Sequence, residues 1–370
     1  MKILMIGSLL TVNGGVQQYI RNLLLHMDLA KYPVDLLATP APAGVASGRE
    51  ELERAGVRIL EMPDGDKARL PFYRGFFKKH PDYDIIHMMT TSKVNALSAC
   101  IIKAACPRAK LILHSHIVYP PLTLSWHIAH RLYQASGDYF LGCSTAAGRF
   151  VFGSHIDANP NFAVACNAID KTRFFADAAA RDALRAQYGI APRQKLAGFV
   201  GRYNHQKRIP MILEIFSLLH KKDPSWRLML VGGGEDQPQV DEKIAALGIG
   251  EWVIQAGVRT NVPDYYNAFD CFLMPSEFEG SPITLVEAQG CGLPCFASTS
   301  VPPDGAVTDL VQFLPEGSTP AVWADAVQSR ITPTAHPDVW PVLAAAGYEQ
   351  NAAARAMERL YDQLMQPDAK

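Results

Sequence analysis

The sequence predicts an α/β protein of two doubly wound domains. Three observations carry this: the length, the recurrence of short apolar runs bounded by turn residues, and one break in that rhythm near the middle. At 370 residues the chain exceeds one domain of ordinary size and has apolar material for two cores. Successive runs leave room for a helix between them, the pattern of parallel strands joined by crossovers.

The opening run Lys2 to Gly7 is a first buried strand. It is short for a signal-peptide core and enters Asn13-Gly14-Gly15 without a small-residue cleavage pattern. Gly15 to Met27 then sets Val16, Ile20, Leu23, Leu24 and Met27 on one helical face. Strands follow at Val34 to Ala38, Val57 to Glu61 and Ile85 to Met89. Before the last of these, Arg69 to His80 mixes aromatics and cations on a helix. It either packs Phe72, Phe76 and Phe77 on the sheet as a crossover or touches an anionic membrane, and the strand that resumes at Tyr83 favours the crossover. Lys93 to Ala105 carries another apolar stripe, and strands at Leu111 to Ser115, Tyr139 to Cys143 and Phe162 to Asn167 complete the first series.

The rhythm breaks between Asp170 and Arg193, where Lys171 to Gln187 is rich in Ala, Asp and Arg and reads as an interdomain crossing. Expected domains are therefore 1–172 and 173–346. The second series of strands runs Lys195 to Gly201, Arg227 to Gly232, Trp252 to Gly257, Cys271 to Pro275, Pro294 to Ala297 and Val311 to Leu314. A terminal helix is expected within Ala344 to Met365, where Tyr348, Ala352, Met357, Leu360, Tyr361 and Leu364 follow a helical repeat. Two such domains facing a central cleft would bring the carboxyl ends of both sheets together, where open α/β sheets bind ligands.

Composition narrows the function. Hydrophobic residues make up 48% and charged residues 19%, with no biased tract, so the chain folds as an ordered protein. Lys plus Arg number 35 against 36 Asp plus Glu, a net charge of -1, so no global field attracts nucleic acid and any anion site is local. Seven cysteines without a C-x-x-C pair suit buried thiols in a reducing compartment. No apolar window approaches the roughly 20 residues of a membrane span. The expected location is the cytoplasm, with any membrane contact peripheral, at the cytoplasmic face of the inner membrane.

Three motifs can carry chemistry. Gly14-Gly15-Val16, between the first strand and its helix, lets backbone N–H groups approach an anionic oxygen, or is simply a turn. It spells neither G-x-G-x-x-G nor a P-loop. Arg202 and Lys207 stand just past a strand's carboxyl end, where a guanidinium and an ammonium can take the two phosphates of a diphosphate, or are merely solvated. In Glu279-Gly-Ser-Pro-Ile-Thr-Leu-Val-Glu287, a helix starting near Ser281-Pro282 with serine as its cap leaves Glu279 in the loop and Glu287 in an apolar helix. Sugar hydroxyls would supply the donors those carboxylates need; the alternative is a cap and an interior ion pair.

With His114-Ser-His116, Asn167-Ala-Ile-Asp170, Val231-Gly-Gly-Gly234, Gly257-Val-Arg259 and Glu287-Ala-Gln-Gly-Cys-Gly-Leu-Pro294, these motifs resemble the family-4 retaining glycosyltransferases of GT-B fold. Within that family the sequence is most similar to bacterial transferases that build capsular or exported polysaccharide. The resemblance implies a retaining, metal-independent transfer from a UDP- or GDP-linked sugar to a saccharide or lipid-linked oligosaccharide, with no resident cofactor. It assigns Arg202 and Lys207 to the diphosphate, Glu279 to the transferred sugar and Glu287 to the ribose. It assigns donor contacts to Gly280, Ser281, Pro282, Ile283, Thr284 and Leu285, chiefly through backbone N–H groups, and to Val258 and Arg259. From the first domain it brings Gly14 and Gly15 to the phosphates and His116 to the reacting sugar, with His114 as competitor. The terminal helix, about 347–366, would cross back to the first domain. One departure is that Ser298 to Gly305 holds only Asp304 where the family often carries a further glutamate.

Competing readings are weaker. Asp64-Gly-Asp66 spells a metal-binding D-x-D but lies in a Pro/Gly/Asp turn. His114 and His116 share a strand face as a metal pair would, yet no complementary acid-histidine set follows. His127 and His130 read as helix-borne histidines of no special role. A sugar-nucleotide epimerase of the same architecture and a noncatalytic sugar-nucleotide binder remain as alternatives.

Overall fold

A computed structural model describes residues 1–11, 15–45, 47–118, 123–331 and 336–366. The chain folds as two units: Met1–Ala168 with the chain from Gly347 onward, and Ile169–Ala346. In unit one, β1 (Ile3–Leu9), α1 (Gly15–His26), β2 (Val34–Thr39), α2 (Arg49–Arg54), β3 (Arg58–Glu61), α3 (Asp66–Lys79) and β4 (Ile85–Thr90) come first. Then follow α4 (Asn95–Ala105), β5 (Lys110–Ser115), α5 (Leu124–Ser136), β6 (Tyr139–Gly142), α6 (Thr145–Phe152) and β7 (Phe162–Val164). The seven strands pair in parallel in the order β3-β2-β1-β4-β5-β6-β7.

Alternation along the strands builds two cores. Leu4, Ile6, Ile86, Met88, Leu111 and Leu113 face one side, with Tyr73 and Phe77 of α3 and Ala96, Ala99 and Ile102 of α4 packed over them. Ile3, Met5, Ile85, Met89 and Ile112 face the other, under Tyr19, Ile20, Leu23 and Leu24 of α1. Each fully buried side chain of this size contributes about 1.5–3 kcal/mol. The aromatic helix Arg69 to His80 thus packs as a crossover, with Pro71 tolerated inside α3 on its exposed face.

Unit two runs α7 (Ala178–Gln187), β8 (Lys195–Arg202), α8 (Ile209–Lys222), β9 (Trp226–Gly233), α9 (Gln237–Leu247), β10 (Val253–Gly257) and α10 (Val262–Ala268). It continues with β11 (Cys271–Met274), α11 (Ile283–Gly290), β12 (Cys295–Ser298), β13 (Val311–Leu314), α12 (Pro320–Arg330) and α13 (Trp340–Ala345). Its six parallel strands lie in the order β10-β9-β8-β11-β12-β13. The winding reverses between β8 and β11, as it does between β1 and β4 in unit one. Loops leaving the carboxyl ends of such a strand pair splay apart and open a crevice.

One expectation is corrected. Segment 170–193, read as a crossing from its Ala/Asp/Arg content, carries α7 as a structural part of unit two. Asp177 caps this helix, while Arg181 and Arg185 both reach the buried Asp270 carboxylate. Arg181 also ties down the carbonyls of Asn267, Ala268 and Phe269. Arginines that look like solvated charge in the sequence are here donors to backbone oxygens. The expected terminal helix lies within 344–365 as α14 (Gln350–Met365), with Gly347, at φ +85, separating it from α13. Packed on α1, α14 belongs to unit one, with Ala354, Met357 and Tyr361 in its core. Glu358 accepts from the Asp28 backbone and Asp362 from the Tyr32 hydroxyl, each at 2.7 Å.

Candidate functional site

The strongest cluster stands at the reversal point of unit two. β8 is driven into the sheet by the buried run Leu196 to Val200, and its pairing with β9 persists to Gly201↔Gly232 and Arg202↔Gly233. That close pairing requires glycine. A Cβ on Gly232, whose φ is +141, would meet the Gly201 carbonyl oxygen at 1.8 Å, and one on Gly234 would meet the Tyr203 oxygen at 2.3 Å. The Val231-Gly-Gly-Gly234 run therefore fixes where β8 ends. Beyond it the chain turns through His205–Lys207 to Arg208, the one non-glycine with positive φ among the described residues. A left-handed residue there costs about 1–2 kcal/mol, and such strain collects where a loop geometry is enforced.

Across the reversal point, the loop after β11 brings Glu279 to this turn. Its carboxylate is 7% exposed, and the Lys207 ammonium donates to one oxygen at 2.6 Å. Gln206 Nε2 donates to the other oxygen at 3.2 Å and to the Phe278 carbonyl at 2.7 Å, while the Glu277 N–H donates back to the Gln206 carbonyl at 2.9 Å. Two residues expected at the site, Lys207 and Glu279, are thus in contact. Gln206, which the sequence reading passed over, holds both of its neighbours. Its only signal is adjacency to Lys207, since one amide in a polar loop looks like any other.

The remaining expected residues have separate partners. Arg202, 71% exposed, bonds Glu235 at 2.9 Å, an exposed pair that gives way readily to a competing anion. Val258 and Arg259 lie exposed in the turn after β10, with Val258 beside Gly233 and hence beside the end of β8. Its side chain is 73% exposed, an apolar surface next to a cation. Glu287 sits on α11 and accepts from the Tyr266 hydroxyl at 2.9 Å. Burial pushes its carboxyl up to about 7, although the Tyr266 bond and the Arg173 charge pull it back.

The segment Gly280 to Leu285 differs from expectation in detail. α11 begins at Ile283 with Pro282 in the cap position, and no side chain caps it. Ser281 contributes its carbonyl instead, accepting from Ile283 N–H, while Leu285 N–H donates to Pro282. Proline's fixed φ starts the helix without a serine hydroxyl. Two of the backbone donors assigned to a ligand are therefore already used within the turn. Thr284 is half-buried, and Leu285 belongs to the core.

In unit one, Gly14 lies outside the described residues. Gly15 opens α1, exposed, and a Cβ there would meet nothing within 4 Å, so the fold does not itself demand glycine at this position. His116 follows β5 directly. Both of its ring nitrogens are buried without a hydrogen-bond partner, and burial drives it down to about 3, so the ring is neutral. His114, fully buried, lies 4.2 Å from it, ring to ring. His130 Nε2–H donates to the Phe150 carbonyl at 2.9 Å, as a structural histidine of α5, and the Gly65 N–H donates to the Asp64 carboxylate within its turn. Among the described residues no group of three or more His, Cys, Asp or Glu is arranged to hold a metal ion.

The chain matches two families: "Glycosyl transferase 4-like domain" over residues 14–167 and "Glycosyl transferases group 1" over residues 180–336. Among its relatives, the putative glycosyltransferase EpsF of Bacillus subtilis is 26% identical over 363 residues, 94% of this chain and 93% of that protein. The lipopolysaccharide core biosynthesis mannosyltransferase LpsB of Rhizobium meliloti is 30% identical over 221 residues, 55% of this chain and 61% of that protein. Among solved structures, Anabaena HepE in complex with UDP and glucose superposes with a TM-score of 0.78 at 18% identity, covering 98% of this chain and 99% of that one. WaaG, a glycosyltransferase involved in lipopolysaccharide biosynthesis, gives 0.68 at 15% identity, covering 99% and 100%. At such identities the likeness establishes the fold, which is GT-B.

Proposed function

Because the chain belongs to the glycosyltransferases, whose 4-like and group 1 domains match most of its length, we propose that it moves a sugar from a nucleotide-diphosphate donor to a glycan or lipid-linked acceptor in building surface polysaccharide. The observation that carries this reading is the Lys207–Glu279 pair at the reversal point of unit two, with Gln206 bonded to both loops. Breaking the bond between sugar and phosphate builds negative charge on the departing diphosphate, so preorganised cations lower the barrier most. Arg202 and Lys207 take that charge, and Glu279 and Glu287 accept bonds from hydroxyls of the sugar and the ribose. The configuration is retained, no metal is needed, and the departing phosphate accepts the acceptor hydroxyl's proton on the face it leaves. LpsB and an amylovoran biosynthesis glycosyltransferase of Erwinia amylovora among the relatives support a polysaccharide product, and HepE complexes with UDP and UDP-glucose support a UDP-linked donor.

The acceptor side is read from surface charge. Lys67 to Gly137 holds ten Lys and Arg against two Asp and Glu, in a chain whose totals nearly cancel. Lys67, Arg74, Lys78 and Lys79 are exposed on α3. Leu97 on α4 and Leu124 and Ile128 on α5 are 47%, 79% and 59% exposed. Lys93 donates to Ser125 at 2.8 Å, joining the starts of the latter two helices. Basic side chains around exposed leucine and isoleucine suit an anionic lipid surface, where a lipid-linked acceptor resides.

Incubation with UDP- and GDP-sugars, with and without glycan acceptors, tests the reading. Release of nucleoside diphosphate that depends on acceptor supports transfer. An isomerised sugar nucleotide would make the protein an epimerase, and binding without turnover a noncatalytic binder.

A further inference from the structure

Beneath α14, the apolar layer of unit one contains a string of polar groups that the transfer chemistry above does not use. His87 of β4, His114 of β5 and Tyr361 of α14 are each fully buried, among Ile3, Met5, Ile85 and Ile112. The Tyr361 hydroxyl lies 2.8 Å from His87 Nδ1, and His87 Nε2 lies 3.1 Å from His114 Nδ1. His114 Nε2, at the far end, is buried without a partner. Its ring packs 4.2 Å from that of His116, and the Tyr19 ring stands 4.8 Å from both.

Burial settles the charge states first. It pushes His87 down to about 3, holds His114 well below its ordinary value, and raises the Tyr361 hydroxyl, so every member is neutral at physiological pH. A neutral imidazole has one N–H and one lone pair, so the bond made by one ring nitrogen fixes the role of the other. If Tyr361 donates to His87 Nδ1, the His87 proton is on Nε2 and donates to His114 Nδ1, which leaves the His114 proton on Nε2. In the opposite polarity Tyr361 keeps an O–H with no acceptor, sealed under its own helix. A stranded donor is costly wherever nothing can reach it. The His114 Nε2 is buried as well, but it lies at the end of the string against the ring of His116, itself only half-buried just past the carboxyl end of β5, so an oxygen that displaces this one ring can satisfy it.

We propose that His87 and Tyr361 are positioning residues: they fix the tautomer of His114, so that its Nε2–H stands beside His116 as a donor for a substrate oxygen. Only the identity of that oxygen rests on the transferase reading, since the tautomer exists without substrate. α14 thereby acts through two buried rings on the end of β5, and the arrangement explains why polar groups occupy a layer that leucines would fill more simply.

Ring-nitrogen 15N NMR of the full-length protein is the test, because a protonated and an unprotonated imidazole nitrogen resonate far apart. The expected wild-type result is His114 with Nδ1 bare and Nε2 protonated. Tyr361→Phe should mix the two tautomers and lower kcat about tenfold at an unchanged donor KM, as the loss of a group that orients another does. His87→Gln should retain the wild-type tautomer and rate, because its amide oxygen can accept from Tyr361 while its NH2 donates to His114; His87→Leu should lose both. A wild-type His114 protonated on Nδ1 would overturn the proposal. So would a folded His87→Leu variant, checked by thermal melting, that keeps the His114 tautomer and kcat. Should no sugar transfer be found at all, the wild-type and variant spectra still decide the tautomer.

Discussion

Lys207 and Gln206 share one carboxylate but do different things to it. In the ligand-free protein the Lys207 ammonium is committed to Glu279 at 2.6 Å. A diphosphate must draw it away, after which Gln206 alone keeps Glu279 in place. Lys207→Ala should therefore lower turnover about 100-fold, through lost charge stabilisation of the leaving group. Gln206→Ala should lower kcat about tenfold with little change in donor KM, since it disorders a group without removing a phosphate contact. Steady-state kinetics on the two variants separate these outcomes. Glu287 supplies a pH signature. Its carboxyl titrates near 7 when folded, against an ordinary value of 4.5. As pH rises from about 4.5 the unfolded chain gives up this proton before the folded one does, so stability falls across the window to about 7 and then levels. The ionised form is the better acceptor for ribose hydroxyls, so donor affinity should rise about tenfold between pH 6 and 8. Urea midpoints and donor titrations across that range check both, and Glu287→Gln should flatten both curves. Lys207 and Glu279, which the structure brings into contact, stand out in the sequence because they are charges beside strand ends. Gln206 does not, because its role depends on a backbone carbonyl that another loop brings to it.

Elements were legible wherever an apolar period governs them, and misread where polar side chains serve the backbone. The strands of both sheets follow their apolar runs. By contrast α7 was hidden by Arg181 and Arg185, whose work is to bind carbonyls and Asp270. The glycines that close β9 stand in the sequence only as part of the family motif, and the space around Gly232 and Gly234 is filled by the Gly201 and Tyr203 backbones. Gly232→Ala should therefore cost at least about 3 kcal/mol, through both clash and strained φ. The melting temperature should fall by roughly 6 °C or more. Gly15→Ala, with open space around it, should leave the melting temperature within about a degree. A differential scanning measurement on the two variants contrasts a glycine that the fold requires with one it does not.

At the scale of the whole molecule, a near-zero net charge conceals segregation. The basic stretch from Lys67 to Gly137 is offset by acids elsewhere in the sequence, so total charge carried no sign of it; Arg69 to His80 hinted at it in the sequence, and the exposed side chains on α3, α4 and α5 show which face carries it. Lys78→Glu with Lys79→Glu, or Leu124→Glu with Ile128→Glu, should abolish co-sedimentation with vesicles rich in phosphatidylglycerol. Neutral phosphatidylcholine vesicles should bind the wild type poorly, and high salt should release it. Equal binding to both vesicle types would remove the membrane assignment and leave the transferase reading standing. The two-unit organisation was visible in the strand rhythm. The exact point of division was not, since Ile169 packs against Gly290 of unit two without any change in composition to announce it.

The position of α14 in the sequence has a consequence for biosynthesis. This helix supplies Ala354, Met357 and Tyr361 to a layer whose strands are made far earlier. On the ribosome, at 5–20 residues per second, roughly 10 to 40 s separate the emergence of β7 from that of its covering helix. During that interval the nascent first unit exposes an oily flank, while the intervening unit has everything it needs to fold. A chaperone that shields the early flank, or a pause that lets the middle unit mature, would raise the yield of native enzyme, and truncation just before Gln350 should yield a chain that aggregates.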